Sequence, residues 1–217
     1  MTVAIRCAGD RILVAELGDG ISPQINALVR AFCHAFEARR VPGIVELVPT
    51  YRCVAVHYRP EEIARRGLEN EMLAAAREAG ESAPQPARLV EIPVIYDGPD
   101  LGFVAAHARL SLEEVVRIHA VPEYLVHMLG FTPGFPYLGG MDERIAAPRL
   151  EKPRVRIPAG SVGIAGAQTG VYPIESPGGW RLIGRTALKL YDPAREPPIL
   201  LDAGDRVRFI PVREADA

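Results

Sequence analysis

The chain has 217 residues, enough for one large domain or two small ones. Hydrophobic residues make up 48% and charged residues 24%, the texture of a soluble globular protein, and a formal net charge of −2 excludes a strongly basic nucleic-acid footprint. No apolar run approaches the roughly 18 residues of a membrane helix, and the start MTVAIRCAGD has no basic stretch followed by an apolar one, so a cytoplasmic protein without a secretory leader is expected.

Val3 to Cys7 and Ile12 to Leu17 read as two short strands joined by a turn at Gly9-Asp10. Ser22 is a natural N-cap with Pro23 at the first helical position. Ile25, Leu28, Val29, Phe32 and Phe36 then recur at helical spacing, and the helix should end near Arg39-Arg40. After Val41-Pro42-Gly43, residues Ile44 to Val48 and Cys53 to Tyr58 read as strands. Pro60 opens a second helix carrying Ile63, Leu68, Met72 and Leu73. The order β-β-α-β-β-α predicts a two-layer α+β domain over residues 1–80. Residues 81–87, within EAGESAPQP, read as a linker.

From residue 88 the texture changes. Leu89 to Tyr96 is a strand and Asp100 to Ala108 a short helix. Ser111 and Glu114 form a capping box that starts a helix to about Ala120. Beyond Tyr124 the chain consists of short apolar runs separated by Gly and Pro, the pattern of a β-barrel or sandwich over residues 88–217. Cys7, Cys33 and Cys53 are widely spaced and without a CxxC, so buried hydrophobes are expected rather than a metal or redox pair.

No phosphate-binding GxxxxGK[ST], HExxH or GxSxG motif occurs, and GSVGIAG (160–166) lacks the strand-turn-helix setting of a dinucleotide loop. Four segments stand out. In RIHAVPEY, His119 closes a helix, where the dipole favours the imidazolium and raises its pKa; with Tyr124 it reads either as a proton carrier or substrate ligand at the mouth of a barrel, or simply as a capping histidine. GFTPGFPYLGG (130–140) sets Phe131, Phe135 and Tyr137 in a constrained loop that either lines an apolar pocket or covers the barrel end. In PRVRIPAGSVGIAGAQTG (153–170), Arg154 and Arg156 alternate towards one face, for an anion or for solvent, and Gln168 and Thr169 sit between glycines, where a ligand can come close to the backbone or the chain merely turns. In YPIESPGGWRLIGR (172–185), Trp180 is a core or interface anchor and Arg185 a candidate clamp for a carboxylate or phosphate.

IHAVPEYLVHMLGFTPGFPYLGG followed by PRVRIPAGSVGIAGAQTGVYPIESPGGWRLIGRT resembles the B subunit family of prokaryotic ATP-dependent 5-oxoprolinase, also called allophanate hydrolase subunit 1. The same family includes Kip-type inhibitors of a sporulation histidine kinase and resembles the subdomain C and D part of the carboxyltransferase region of urea carboxylase. GDRILVAELGDGISPQINALVRAF matches its start, so the resemblance covers essentially the whole chain. It implies an α+β N-terminal domain followed by a mainly-β cyclophilin-like barrel. It also implies work with a cyclophilin-like C subunit, and with a separate A subunit, with ATP as co-substrate, and inactivity of this chain alone; the spacing of the cysteines and histidines shows no metal site. The implied reaction converts 5-oxo-L-proline, ATP and water to L-glutamate, ADP and phosphate. It further implies His119 as the catalytic residue that moves a proton or binds the reacting group, with Tyr124, Phe135, Tyr137, Gln168, Thr169 and Arg185 binding substrate. The alternatives are a regulator that binds and inhibits a sensor histidine kinase, and a component of an allophanate- or urea-processing enzyme. No nucleic acid or membrane partner is implied.

Overall fold

A computed structural model describes residues 3–81 and 87–213 of the chain. The chain divides into two compact units, Met1–Pro86 and Ala87–Ala217. The linker expected over 81–87 falls mostly on residues 82–86, which lie outside the described residues.

In the first unit, β1 (Ala4–Cys7) and β2 (Ile12–Glu16) form a hairpin, and β3 (Ile44–Pro49) and β4 (Cys53–Tyr58) complete an antiparallel sheet of order β1-β2-β4-β3. Alternate residues Leu13, Ala15, Val54 and Val56 are fully buried, as a period of two requires of a one-faced sheet. Their cover is α1 (Pro23–Ala38), through Val29, Phe32 and Phe36, and α2 (Arg65–Glu81), through Leu68 and Met72. The Ser22 hydroxyl accepts the Ile25 N–H at 3.1 Å and caps α1. The second helix begins at Arg65, not at Pro60: the Arg59 carbonyl accepts the Glu62 and Ile63 N–H groups in a turn, and the first helical bond runs from Leu68 to Ala64. The cysteines depart from expectation as well. Cys7 is exposed and Cys33 and Cys53 are half-buried; burial pushes the Cys33 thiol up to about 12.

The second unit is built on a seven-stranded mixed sheet. Its strands are β5 (Leu89–Val94), β6 (Tyr124–Leu129), β7 (Pro136–Gly139), β9 (Ser161–Ala165), β10 (Gln168–Val171), β12 (Arg181–Arg185) and β13 (Arg206–Pro211). In the order β12-β9-β10-β7-β6-β13-β5 all neighbours are antiparallel except β5 and β13, which run parallel in a six-residue register. A bridge between Ile95 and Arg185 ties the two edges together, so the sheet is a nearly closed barrel. Its interior is filled by Ile92, Val94, Val126, Leu138, Val162, Ile164, Val171, Ile183, Val207 and Phe209. Each such side chain stabilises the fold by roughly 1.5–3 kcal/mol relative to exposure. Helices α3 (Leu101–Ala108) and α4 (Leu112–Ala120) contribute Leu101, Val104, Val115 and Ile118 to the same core. The expected capping box on α4 is present in both directions, Glu114 N–H to Ser111 Oγ and Ser111 N–H to Glu114 Oε2.

A separate two-stranded ribbon, β8 (Arg154–Ile157) with β11 (Ser176–Gly178), forms a smaller outer core with residues of the barrel strands: Ile157, Ala165, Tyr172, Trp180 and Leu182 meet there with Phe135. Among the described residues no helix is long and apolar enough to cross a membrane.

Candidate functional site: an aromatic cleft beside a buried histidine network

The expected site residues separate into four places. His119, Tyr124 and Thr169 meet inside the barrel. Phe135 and Tyr137 line a cleft in its outer layer. Arg185 lies at the exposed end of β12, in an ion pair with Asp97 at 2.8 Å. Gln168 is half-buried at the start of β10, beside Thr169, and does not line the cleft.

The interior cluster has a fixed direction. Thr169 Oγ1 donates its one hydrogen to the Gly163 carbonyl at 3.1 Å, so toward His119, 2.8 Å away, it can only accept. That places the imidazole proton on Nε2. Nδ1 is then an acceptor, and the Tyr96 phenol donates to it at 2.8 Å. The chain of donors runs Tyr96 to His119 to Thr169 to the Gly163 carbonyl and stops at backbone. The His119 ring also stacks on Phe209 at 4.5 Å, and the Tyr124 hydroxyl donates to the His119 carbonyl at 2.7 Å.

His119 is therefore not at the mouth of the barrel but fully buried. Its position in the last turn of α4 does not raise its pKa, as the helix dipole alone would. Burial without a carboxylate partner lowers it to about 3. Desolvation outweighs a dipole effect of at most ~2 kcal/mol, so the ring stays neutral at physiological pH. Tyr96, its hydrogen-bond partner, also lines a groove of about 610 Å³ with Leu101, Leu112, Val116, Arg117 and Val121.

The second place is a cleft of about 310 Å³ lined by Phe131, Phe135, Tyr137, Tyr172 and Trp180, with Pro153, Pro177, Gly178, Gly179 and Arg149. Phe135 is its hub, with edge-to-face contacts of 5.3 Å to each of Tyr137, Tyr172 and Trp180, and 5.5 Å to Phe131. Two glycines make this packing possible. A Cβ on Gly170 would meet Trp180 at 3.1 Å and Phe135 at 3.2 Å, and one on Gly178 would collide with the Tyr172 hydroxyl. The loop before β7 turns through Phe131 and Gly134, both at positive φ, and this sets Phe131 at the cleft rim with 60% of its surface exposed. The segments 130–140 and 172–180 thus share one concavity.

Arg154 and Arg156 do not form a joint anion site. Arg154 pairs at 2.9 Å with Asp100, a buried carboxylate that also accepts the Leu182 N–H at 2.7 Å, and Arg156 pairs with exposed Glu175. Sequence reading missed Tyr96, Asp100 and Arg149. Tyr96 carries no motif, Asp100 resembles an ordinary helix cap, and Arg149 is one arginine among many. Among the described residues, no group of three or more His, Cys, Asp and Glu is disposed to hold a metal ion.

Comparison with known proteins agrees with this architecture. The family model described as carboxyltransferase domain, subdomain C and D, matches residues 3–201. A Bacillus subtilis protein named as the B subunit of 5-oxoprolinase is 46% identical over 96% of this chain and 92% of its own length. An Escherichia coli O157:H7 protein of the same name is 50% identical over 80% of this chain and 81% of its own. The crystal structure of TTHA0988 superposes with a TM-score of 0.83 at 42% identity over 94% of this chain, which spans only 40% of the length of that protein. The chain belongs to the family of carboxyltransferase-domain subdomains C and D that includes the 5-oxoprolinase B subunits.

Proposed function

We propose that this chain is the B component of a cytoplasmic, ATP-dependent 5-oxoprolinase. Together with a cyclophilin-like C subunit, and with a separate A subunit, it converts 5-oxo-L-proline, ATP and water to L-glutamate, ADP and phosphate. The observation that carries this reading is near-full-length identity of 46% to a protein named as that component. In the proposed organisation an α+β domain (1–80) and a linker (81–87) precede a cyclophilin-like barrel (88–217) that bears the site.

A five-membered lactam is a stable amide. Phosphorylation of its oxygen by ATP gives water a better electrophile, and the ring must be held still while this occurs. The aromatic cleft supplies that part: Phe135 and Tyr137 wall a flat, weakly polar ring, with a partner chain closing the open side and this chain alone inactive. His119 acts as a positioning residue from the barrel interior, with Tyr96 and Thr169 fixing the imidazole and Tyr124 its backbone carbonyl.

Co-expression with the C and A subunits, followed by measurement of phosphate release, tests the reading. Release that depends on 5-oxoproline and on the presence of this chain is expected. A complex that forms but releases no phosphate with 5-oxoproline, or tight binding to a histidine-kinase dimerisation domain in place of those partners, defeats it. Within the complex, His119→Ala leaving both kcat and KM at wild-type values would remove the role given to His119.

A further inference from the structure

Arg149 stands at the edge of the aromatic cleft, and its backbone is held on both sides. The Pro148 carbonyl accepts a hydrogen bond from Arg181 Nε at 3.1 Å, and the Leu150 N–H donates to the Gly179 carbonyl at 2.8 Å. Gly179 lines the same cleft, so the second bond fixes Arg149 relative to the cleft floor. Other arginines of this unit are paired with carboxylates: Arg154 and Arg181 share the one carboxylate of Asp100, at 2.9 and 3.8 Å, Arg156 pairs with Glu175 and Arg185 with Asp97. Among the described residues Arg149 has no carboxylate partner. An exposed guanidinium on a backbone held in place, at the rim of an aromatic cleft and without a carboxylate partner, can pair with an anion carried by a ring seated in that cleft. The cleft volume of about 310 Å³ sits at the small end of ligand cavities, which run from about 300 to 1,000 Å³.

The Tyr172 phenol adds a second polar group. Its hydroxyl lies beside Gly178 at the cleft wall and can donate a hydrogen bond. Burial raises its pKa, while the Trp180 backbone and the positive charges of Arg149 and Arg154 act in the opposite direction.

We infer that Arg149 determines substrate specificity. The cleft takes a small ring bearing one carboxylate, the ring lying among Phe135, Tyr137 and Trp180 and the carboxylate paired with the Arg149 guanidinium. The inference rests on the functional reading above and adds the anion-binding group to it. For 5-oxoproline this orientation directs the carboxylate to the rim and keeps the lactam carbonyl free for the chemistry.

The test is a charge series, Arg149→Lys, Arg149→Gln and Arg149→Glu, in the assembled complex with the C and A subunits. KM for 5-oxoproline is expected to rise in that order, roughly tenfold or more for Arg149→Gln, with kcat within about twofold of wild type. Partial rescue by lysine and a further loss on charge reversal are not effects that a purely structural role would produce. KM within about twofold of wild type in all three variants, or a fall in kcat at unchanged KM, overturns the assignment while leaving the enzyme reading intact. A wild-type complex without 5-oxoproline-dependent phosphate release overturns the enzyme reading and this assignment with it.

Discussion

Replacing His119 by phenylalanine should remove a pH dependence of stability whose size follows from the burial of the imidazole. In the native barrel the His119 pKa is about 3, against an ordinary value of 6.5. The unfolded chain therefore binds more protons at this residue than the native one everywhere between those values, and stability rises with pH across the window. Moving the other way, the contribution is complete above 6.5 and is lost progressively as the pH falls toward 3. The whole window amounts to about 5 kcal/mol, of which about 2 kcal/mol falls between neutrality and pH ~5. Phenylalanine retains an aromatic ring to stack on Phe209 but cannot titrate, at the cost of the Tyr96 and Thr169 hydrogen bonds. Urea unfolding of wild type and His119→Phe should show the variant less stable at neutral pH, with the gap narrowing by about 2 kcal/mol on acidification to pH ~5. The carboxylates common to both proteins cancel in the comparison. A gap constant with pH would mean that His119 is not buried as a neutral ring, and the directed hydrogen-bond chain would have to be abandoned.

Two further outcomes follow from the outer layer of the barrel. Asp100→Asn should cost about 3 kcal/mol in a denaturant melt, because it leaves Arg154 and Arg181 without their shared buried carboxylate; a loss below about 1 kcal/mol would show that solvent already screens the cluster. Gly178→Ala drives a methyl group into the Tyr172 hydroxyl and to 2.9 Å from Ile157, so it should lower stability by about 1–3 kcal/mol and shift Trp180 fluorescence; an unchanged spectrum would contradict the packing described for the cleft.

What the sequence makes legible is local. The Ser22 and Ser111 caps act within three residues of themselves, and both are readable as N-caps. The alternation of Leu13, Ala15, Val54 and Val56 likewise declares the buried face of its sheet. The loop 130–140 shows a constrained path in its glycine and proline spacing, but whether its rings line a pocket or cover the barrel end depends on Tyr172 and Trp180, far along the chain. The misreadings concern long-range chemistry. A dipole argument places a charged histidine at the end of α4, but Tyr96, 23 residues earlier, and Thr169, 50 residues later, enclose it as a neutral ring. Asp100 finds Arg154 across 54 positions and Leu182 across 82. No pattern around Asp100 marks it as more than the residue before a helix, and the two Arg residues of β8 accordingly look like a pair when each serves a different carboxylate. Arg149 is distinguished by its place at the cleft rim without a carboxylate partner among the described residues, and neither fact is visible in the sequence.

Whether the aromatic cleft holds the substrate ring is tested most directly at Trp180, the single tryptophan of the chain, which lines that cleft. Incorporating fluorinated tryptophan into this chain alone, and assembling it with unlabelled C and A subunits, gives one fluorine NMR resonance at the proposed site. Saturable movement of that resonance with 5-oxoproline, abolished by Arg149→Glu, is the predicted result. A resonance that stays in place while the same sample hydrolyses ATP in response to 5-oxoproline would put the substrate elsewhere.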